Sequence, residues 1–191
     1  MIAKLSKRVA FYFANQNVIS GNDISIYAYG FEMLFSEIIN TLIIIFIAVV
    51  TNHFLEALIY ITVFTLMRES AGGYHAKTHR NCILIFTSVF IGFVLLLEIL
   101  PYNLYNLIIS TGLIASLLLI WKYAPIDDPN KPFTDNEKKK FRIRSLILNF
   151  CFTSVSILSL IFNFYIKLIG LCVMLGLLTV GISVRAAYVN R

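Results

Sequence analysis

The chain has 191 residues, 59% of them hydrophobic and 14% charged, against roughly 45–50% and roughly 25% in soluble domains. A water-soluble globule, a disordered chain, a collagen and a coiled coil are thereby excluded. Sixteen Lys and Arg against ten Asp and Glu give a net charge of +6, but no basic stripe interleaves with aromatics on a polar face, so no nucleic acid is expected as partner.

Residues 1–22 form a basic amphipathic surface segment: Lys4, Lys7 and Arg8 accompany Ile2, Leu5, Val9 and Phe13, apolar positions three or four apart that make one helix face suited to lying on a membrane. Asn15, Gln16 and Asn17 interrupt any signal-peptide core, so the segment is expected to be retained. Ser20 to Asp23 ends it and offers caps for the next helix. Six apolar spans follow, at about 31–51, 54–67, 83–100, 103–121, 145–162 and 165–184. The fold class is therefore all-α, a polytopic membrane protein with one integral domain over 1–191 and its spans within 31–184. The second span is short, since about 14 residues at 1.5 Å rise reach only ~21 Å of a ~30 Å hydrocarbon core. Cys151 and Cys172 lie inside spans without a nearby His and read as packing residues. The three cysteines have no regular spacing, which argues against a disulfide scaffold and for at least one free thiol. There is no GxxxG pair; Gly112 and Ser116 are the nearest small-residue spacing.

Fifteen of the sixteen cations fall in four places: the N-terminal region, residues 68–82, residues 122–144 and the stretch after 184; Lys167 is the exception. In a six-span arrangement these share one side, and the positive-inside rule predicts that both termini and both loops are cytoplasmic.

The chemistry concentrates in residues 68–82, where Arg68, Glu69, His75, Lys77, His79, Arg80 and Cys82 gather around Gly72 and Gly73. A nucleophilic Cys needs a base or a cation beside it, and His75 with Cys82 supplies such a pair. In an unbroken helix the seven-residue separation rises ~10.5 Å, too far for a hydrogen bond, so the chain between them must bend. Gly72 and Gly73 permit a bend or a close approach of the backbone to a bound peptide. The competing readings are an ordinary loop whose cations obey topology and a metal site built on His75, His79 and Cys82 at i, i+4 and i+7, with Glu69 or Glu37 as a further ligand.

Residues 68–82 resemble the accessory gene regulator B (AgrB) family, membrane cysteine peptidases that process autoinducing peptide precursors in Gram-positive bacteria. The likeness rests on Arg68, on Ala71-Gly72-Gly73-Tyr74-His75-Ala76 and on Cys82; Tyr123-Ala124-Pro125, Pro129-Asn130-Lys131-Pro132, the length and the basic start extend it over nearly the whole chain. The resemblance implies that His75 and Cys82 are the catalytic pair of a thiol protease in the bacterial cell membrane, with no cofactor and no metal. It also implies an AgrD-like precursor peptide as partner in quorum sensing, and a homodimer. Cys82 would form a thioester that an internal nucleophile of the precursor closes to a thiolactone or lactone, so the site must exclude water.

Glu37 lies well inside the first span, and an intramembrane carboxylate is a functional candidate. It can orient His75 or pair with Arg68; with Ser36, Asn40 and Thr41 it forms one polar stripe. Pro125, Pro129 and Pro132 forbid a continuous helix from Tyr123 to Phe133. The cations Lys138, Lys139, Lys140, Arg142 and Arg144 beyond them suit anionic membrane lipid or an acidic substrate tail, with Lys138, Lys139 and Lys140 as the substrate-binding candidates. Two alternatives to the peptidase are a small transporter or channel-like protein using Glu37 and a metal-dependent membrane hydrolase using His75, His79 and Cys82.

Overall fold

A computed structural model of the chain describes residues 2–74, 79–127 and 132–189. These residues form seven α-helices joined by short turns, with no strand among them: α1 (Ile2–Asn15), α2 (Ile24–Val50), α3 (Phe54–Ala71), α4 (His79–Ile99), α5 (Tyr105–Tyr123), α6 (Asp135–Ser159) and α7 (Phe164–Val189). Helix α1 folds back along α2. Ser6 and Ala10 are its buried residues, and Phe13 stacks on Phe31 at 5.6 Å, while Leu5 is exposed. Asn17 closes α1 in the left-handed region, with Val18 N–H donating to Phe13 O at 3.0 Å; Asn52 closes α2 in the same way, with His53 N–H donating to Ala48 O at 2.8 Å. Ser20 accepts from Asn22 N–H at the start of the short 3-10 turn that leads into α2, while Asp23, at the N-cap of α2 itself, makes no side-chain capping bond.

The turns of α2 to α7 collect at two ends. At one end His53 meets Glu98 at 2.9 Å, and Tyr102 packs on Phe164. Lys167, the outlying cation, sits over the Tyr102 ring at 5.0 Å. At the other end Ile126 N–H donates to Ala71 O, Tyr74 N–H to Ser183 O, and Tyr123 contacts Tyr188. Successive helices therefore alternate in direction.

Among the described residues, five segments are long and apolar enough to cross a membrane: Gly21–Val50, Asn81–Ile99, Tyr102–Tyr123, Asp135–Ser159 and Phe164–Val189. The expected count of six is thus corrected to five by this measure. Helix α3 is the one that drops out, because its 18 residues include Glu56, Arg68 and Glu69. It is also well enclosed by protein, with seven of its 18 residues buried. It packs against α2, α6 and α7, and its Tyr60 and Phe64 rings meet Phe86, Phe90 and Phe93 of α4. Its charged ends therefore find partners in the bundle instead of lipid.

Helix α7 is the hub, touching α3, α5 and α6. Gly176 lies against Val63 and the Tyr60 carbonyl, Gly181 against Leu119, and Gly170 against Ser156 and Ser159. Small residues let backbones approach where water supplies no hydrophobic drive. Gly112 faces Met174 and Ser116 is buried near Gly181, so their spacing serves packing within one chain. Leu42, Phe46, Ile147 and Phe150 are exposed, as side chains facing lipid must be. Cys172 is buried as expected, but Cys151 is exposed; Cys82, Cys151 and Cys172 are all free thiols.

Candidate functional site

The site is built where α3 stops. Gly72 terminates the helix at φ 74° and ψ −154°, a region essentially closed to side chains, and its N–H donates to Arg68 O at 2.9 Å. A Cβ at Gly72 would overlap the Ile126 carbonyl, and one at Gly73, φ 151°, would press on the Arg68 guanidinium and the Ser183 hydroxyl. The two glycines thus permit close approach of the chain to itself. Through this approach the segment after Tyr123 docks on the end of α3, where Ile126 N–H donates to Ala71 O at 3.0 Å.

Arg68 organises the corner. Nη1 donates to Ser183 Oγ at 2.9 Å and Nη2 to Tyr74 O at 2.7 Å, while the guanidinium lies 5.7 Å from the Phe64 ring centre. Tyr74 N–H in turn donates to Ser183 Oγ at 3.0 Å. One arginine and one serine therefore tie α3, the 72–74 turn and α7 together. Ser183 was not singled out from the sequence. The signal for it was Thr179 and Ser183, a polar pair at i, i+4 in an apolar span.

Beside this clasp lies a cavity of about 270 Å³ bounded by α2, α3, α4 and α7. Glu37, Asn40 and Thr41 come from α2, Phe64 and Arg68 from α3, Cys82 and Phe86 from α4, and Thr179 and Ser183 from α7; Tyr74 joins them from the turn. Cys82 stands half-buried on the first turn of α4. The Arg68 guanidinium is within electrostatic reach of both Cys82 and Glu37. Negative charge developing beside Cys82 during acyl transfer would meet that cation and the positive end of α4.

Of the expected site residues, Cys82, Glu37 and Arg68 are brought to one cavity, and Gly72 and Gly73 do not line it but lie against Ile126, Arg68 and Ser183. Glu37 lies within electrostatic reach of Arg68, one of the two partners the sequence offered it. His75, and the side chain of His79, lie outside the described residues. Glu69 points to Arg144 at 3.4 Å, which takes it away from the metal set considered with Cys82. Lys138, Lys139 and Lys140 are exposed on the first turns of α6 and do not line the cavity. Arg142 is used structurally, donating to Ala124 O at 2.6 Å and Trp121 O at 3.1 Å, where it caps the end of α5.

The chain matches the family model for accessory gene regulator B over residues 6–184. It is 27% identical over 187 residues to a putative AgrB-like protein of Clostridium perfringens strain SM101, covering 92% of this chain and 87% of that one. A putative AgrB-like protein 2 of C. perfringens strain 13 is 27% identical over 167 residues, 84% and 78% of the two chains. The accessory gene regulator protein B of Staphylococcus saprophyticus is 27% identical over 129 residues, 67% of each chain. No solved structure matches the chain.

Proposed function

Since the chain belongs to the accessory gene regulator B family, and so to quorum-sensing peptide processing, we propose that it is a membrane cysteine endopeptidase that cleaves an AgrD-like precursor and promotes its cyclisation. The observation that carries this reading is the opening of Cys82 into the same cavity as Arg68, Glu37 and Tyr74. His75 follows Tyr74 directly in the chain, which supports its role as the base.

In this mechanism His75 takes the Cys82 proton, the thiolate attacks a backbone carbonyl of the precursor, and His75 returns the proton to the leaving amine. An internal thiol or hydroxyl of the acyl portion then attacks the thioester, releasing Cys82 and closing the ring. Exchange of one thioester for another is nearly neutral, whereas hydrolysis is downhill, so water must be kept out. The apolar wall of Phe64, Ile85, Phe86 and Val89 suits that requirement. With α3 crossing inside the bundle as a sixth span, fifteen of the sixteen cations belong to segments on one side, and the positive-inside rule assigns both termini and the catalytic loop to the cytoplasm.

The test is intact-mass analysis of the protein in lipid with its precursor peptide. Wild type forms an acyl adduct on Cys82 and a cyclic product one water lighter than the hydrolysed fragment; both vanish in Cys82→Ala and His75→Ala. Normal processing by Cys82→Ala would overturn the assignment.

A further inference from the structure

Helix α1 runs antiparallel down α2: Phe13, near its end, meets Phe31, whereas Ile2, Lys4, Leu5 and Arg8 stand beside Phe35, Ile38 and Ile39. The 27 residues of α2 are about 40 Å long, and a ~30 Å hydrocarbon core measured back from the polar Thr51-Asn52-His53 turn takes in roughly the last 20 of them. Phe35 to Ile39 therefore lie within that core, and α1 carries Lys4 and Arg8 towards the same depth. Between the two helices these residues line an open groove of about 520 Å³. Lys4 and Arg8 are exposed and form no ion pair among the described residues. The carboxylates of α2, Glu32 and Glu37, do not line the groove, and Glu37 belongs to the other cavity. From the groove an exposed apolar stripe of Ile38, Leu42 and Phe46 continues along α2, one residue per turn.

We infer that this groove binds one acidic phospholipid of the surrounding bilayer, its phosphate on Lys4 and Arg8 and an acyl chain along Ile38, Leu42 and Phe46. A cation at hydrocarbon depth is costly unless it snorkels out or meets an anion. A lipid phosphate brings that anion from the bilayer itself, and the lysine and arginine stems keep the apolar wall covered. Arg8 offers a fork for two phosphate oxygens, and Lys4, four residues earlier and so on the same face, adds a point charge. A choline lipid would set its own ammonium against these two cations; an acidic headgroup does not. An acidic peptide would answer the cations but leave the apolar stripe unused. The site lies apart from Cys82 and does not depend on the peptidase reading.

The experiment titrates the full-length protein in detergent with palmitoyl-oleoyl phosphatidylglycerol or the matching phosphatidylcholine, and native mass spectrometry follows the first lipid bound. Wild type takes phosphatidylglycerol about 30-fold more tightly, about fivefold for each cation. Lys4→Gln and Arg8→Gln each cut that preference about fivefold, and Lys4→Arg retains it. Lys7→Gln also retains it, since Lys7 is exposed on the same helix but does not line the groove. Ile38→Trp fills the groove and weakens binding of both lipids. Equal binding of the two lipids by wild type, an equal loss in Lys7→Gln, or no effect of Ile38→Trp overturns the inference. So does displacement of the bound lipid by hexaglutamate, which would give the groove to an acidic peptide.

Discussion

Arg68 Nη1 donates to Ser183 Oγ at 2.9 Å across 115 residues of chain, and the same oxygen accepts the Tyr74 N–H at 3.0 Å. This single hydroxyl holds a guanidinium and the turn that leads to His75. Ser183→Ala should leave Arg68 Nη1 short of this acceptor, while Tyr74 N–H keeps the Ser183 carbonyl at 3.1 Å, lowering stability by about 1 kcal/mol and slowing peptide processing more than it weakens peptide binding. Thermal unfolding in nanodiscs and a kcat-against-KM comparison check this. Wild-type kcat in Ser183→Ala would show that the clasp does not position the loop.

Gly72→Ala is expected to be severe. It places a side chain in a backbone region essentially reserved for glycine and against the Ile126 carbonyl, a combined cost of about 2–4 kcal/mol. Gly30 provides the contrast, being exposed on α2 with nothing within 4 Å of a Cβ. Gly30→Ala should fold at least as well as wild type, because alanine is the better helix former by about 1 kcal/mol. Melting temperatures of the two variants should move in opposite directions.

The cations of the 122–144 region divide into two kinds, and mutation should separate them. Arg142→Ala removes the donor to Ala124 O and Trp121 O and should lower the melting temperature, with partial recovery in Arg142→Lys. The triple change of Lys138, Lys139 and Lys140 to Gln should leave stability intact and weaken binding to anionic vesicles, at ~1 kcal/mol per lysine at most. That loss should fade as salt is raised. Vesicle co-sedimentation at two ionic strengths measures it.

The metal and thiol readings diverge at His79. The thiol mechanism needs His75 but not His79, so His79→Ala should retain most processing activity while His75→Ala abolishes it, and EDTA should change neither protein. Equal loss in both variants together with chelator sensitivity would favour the metal reading.

A turn lined by Gly72 and Gly73, a thiol seven residues after His75, and apolar runs of membrane length are all local properties, readable in the order of residues. So is the break between Tyr123 and α6, since proline at 125, 129 and 132 cannot continue a helix. The doubtful second span was visible too, because hydropathy registers charge and length directly.

What only the tertiary structure decided are relations between distant segments. The sequence showed that Gly72 and Gly73 lack side chains, but not that Ile126 and Ser183 occupy the space left free. It offered Glu37 two partners, and only the packing of α2 beside α3 brought the carboxylate towards Arg68. Ser183 passed unnoticed because a Thr and a Ser one turn apart in an apolar span carry little signal until their partners are known. Helix formation and membrane partition follow from residues within a few positions of one another. A cavity wall is set by how whole helices rotate and approach, and that depends on contacts more than a hundred residues apart.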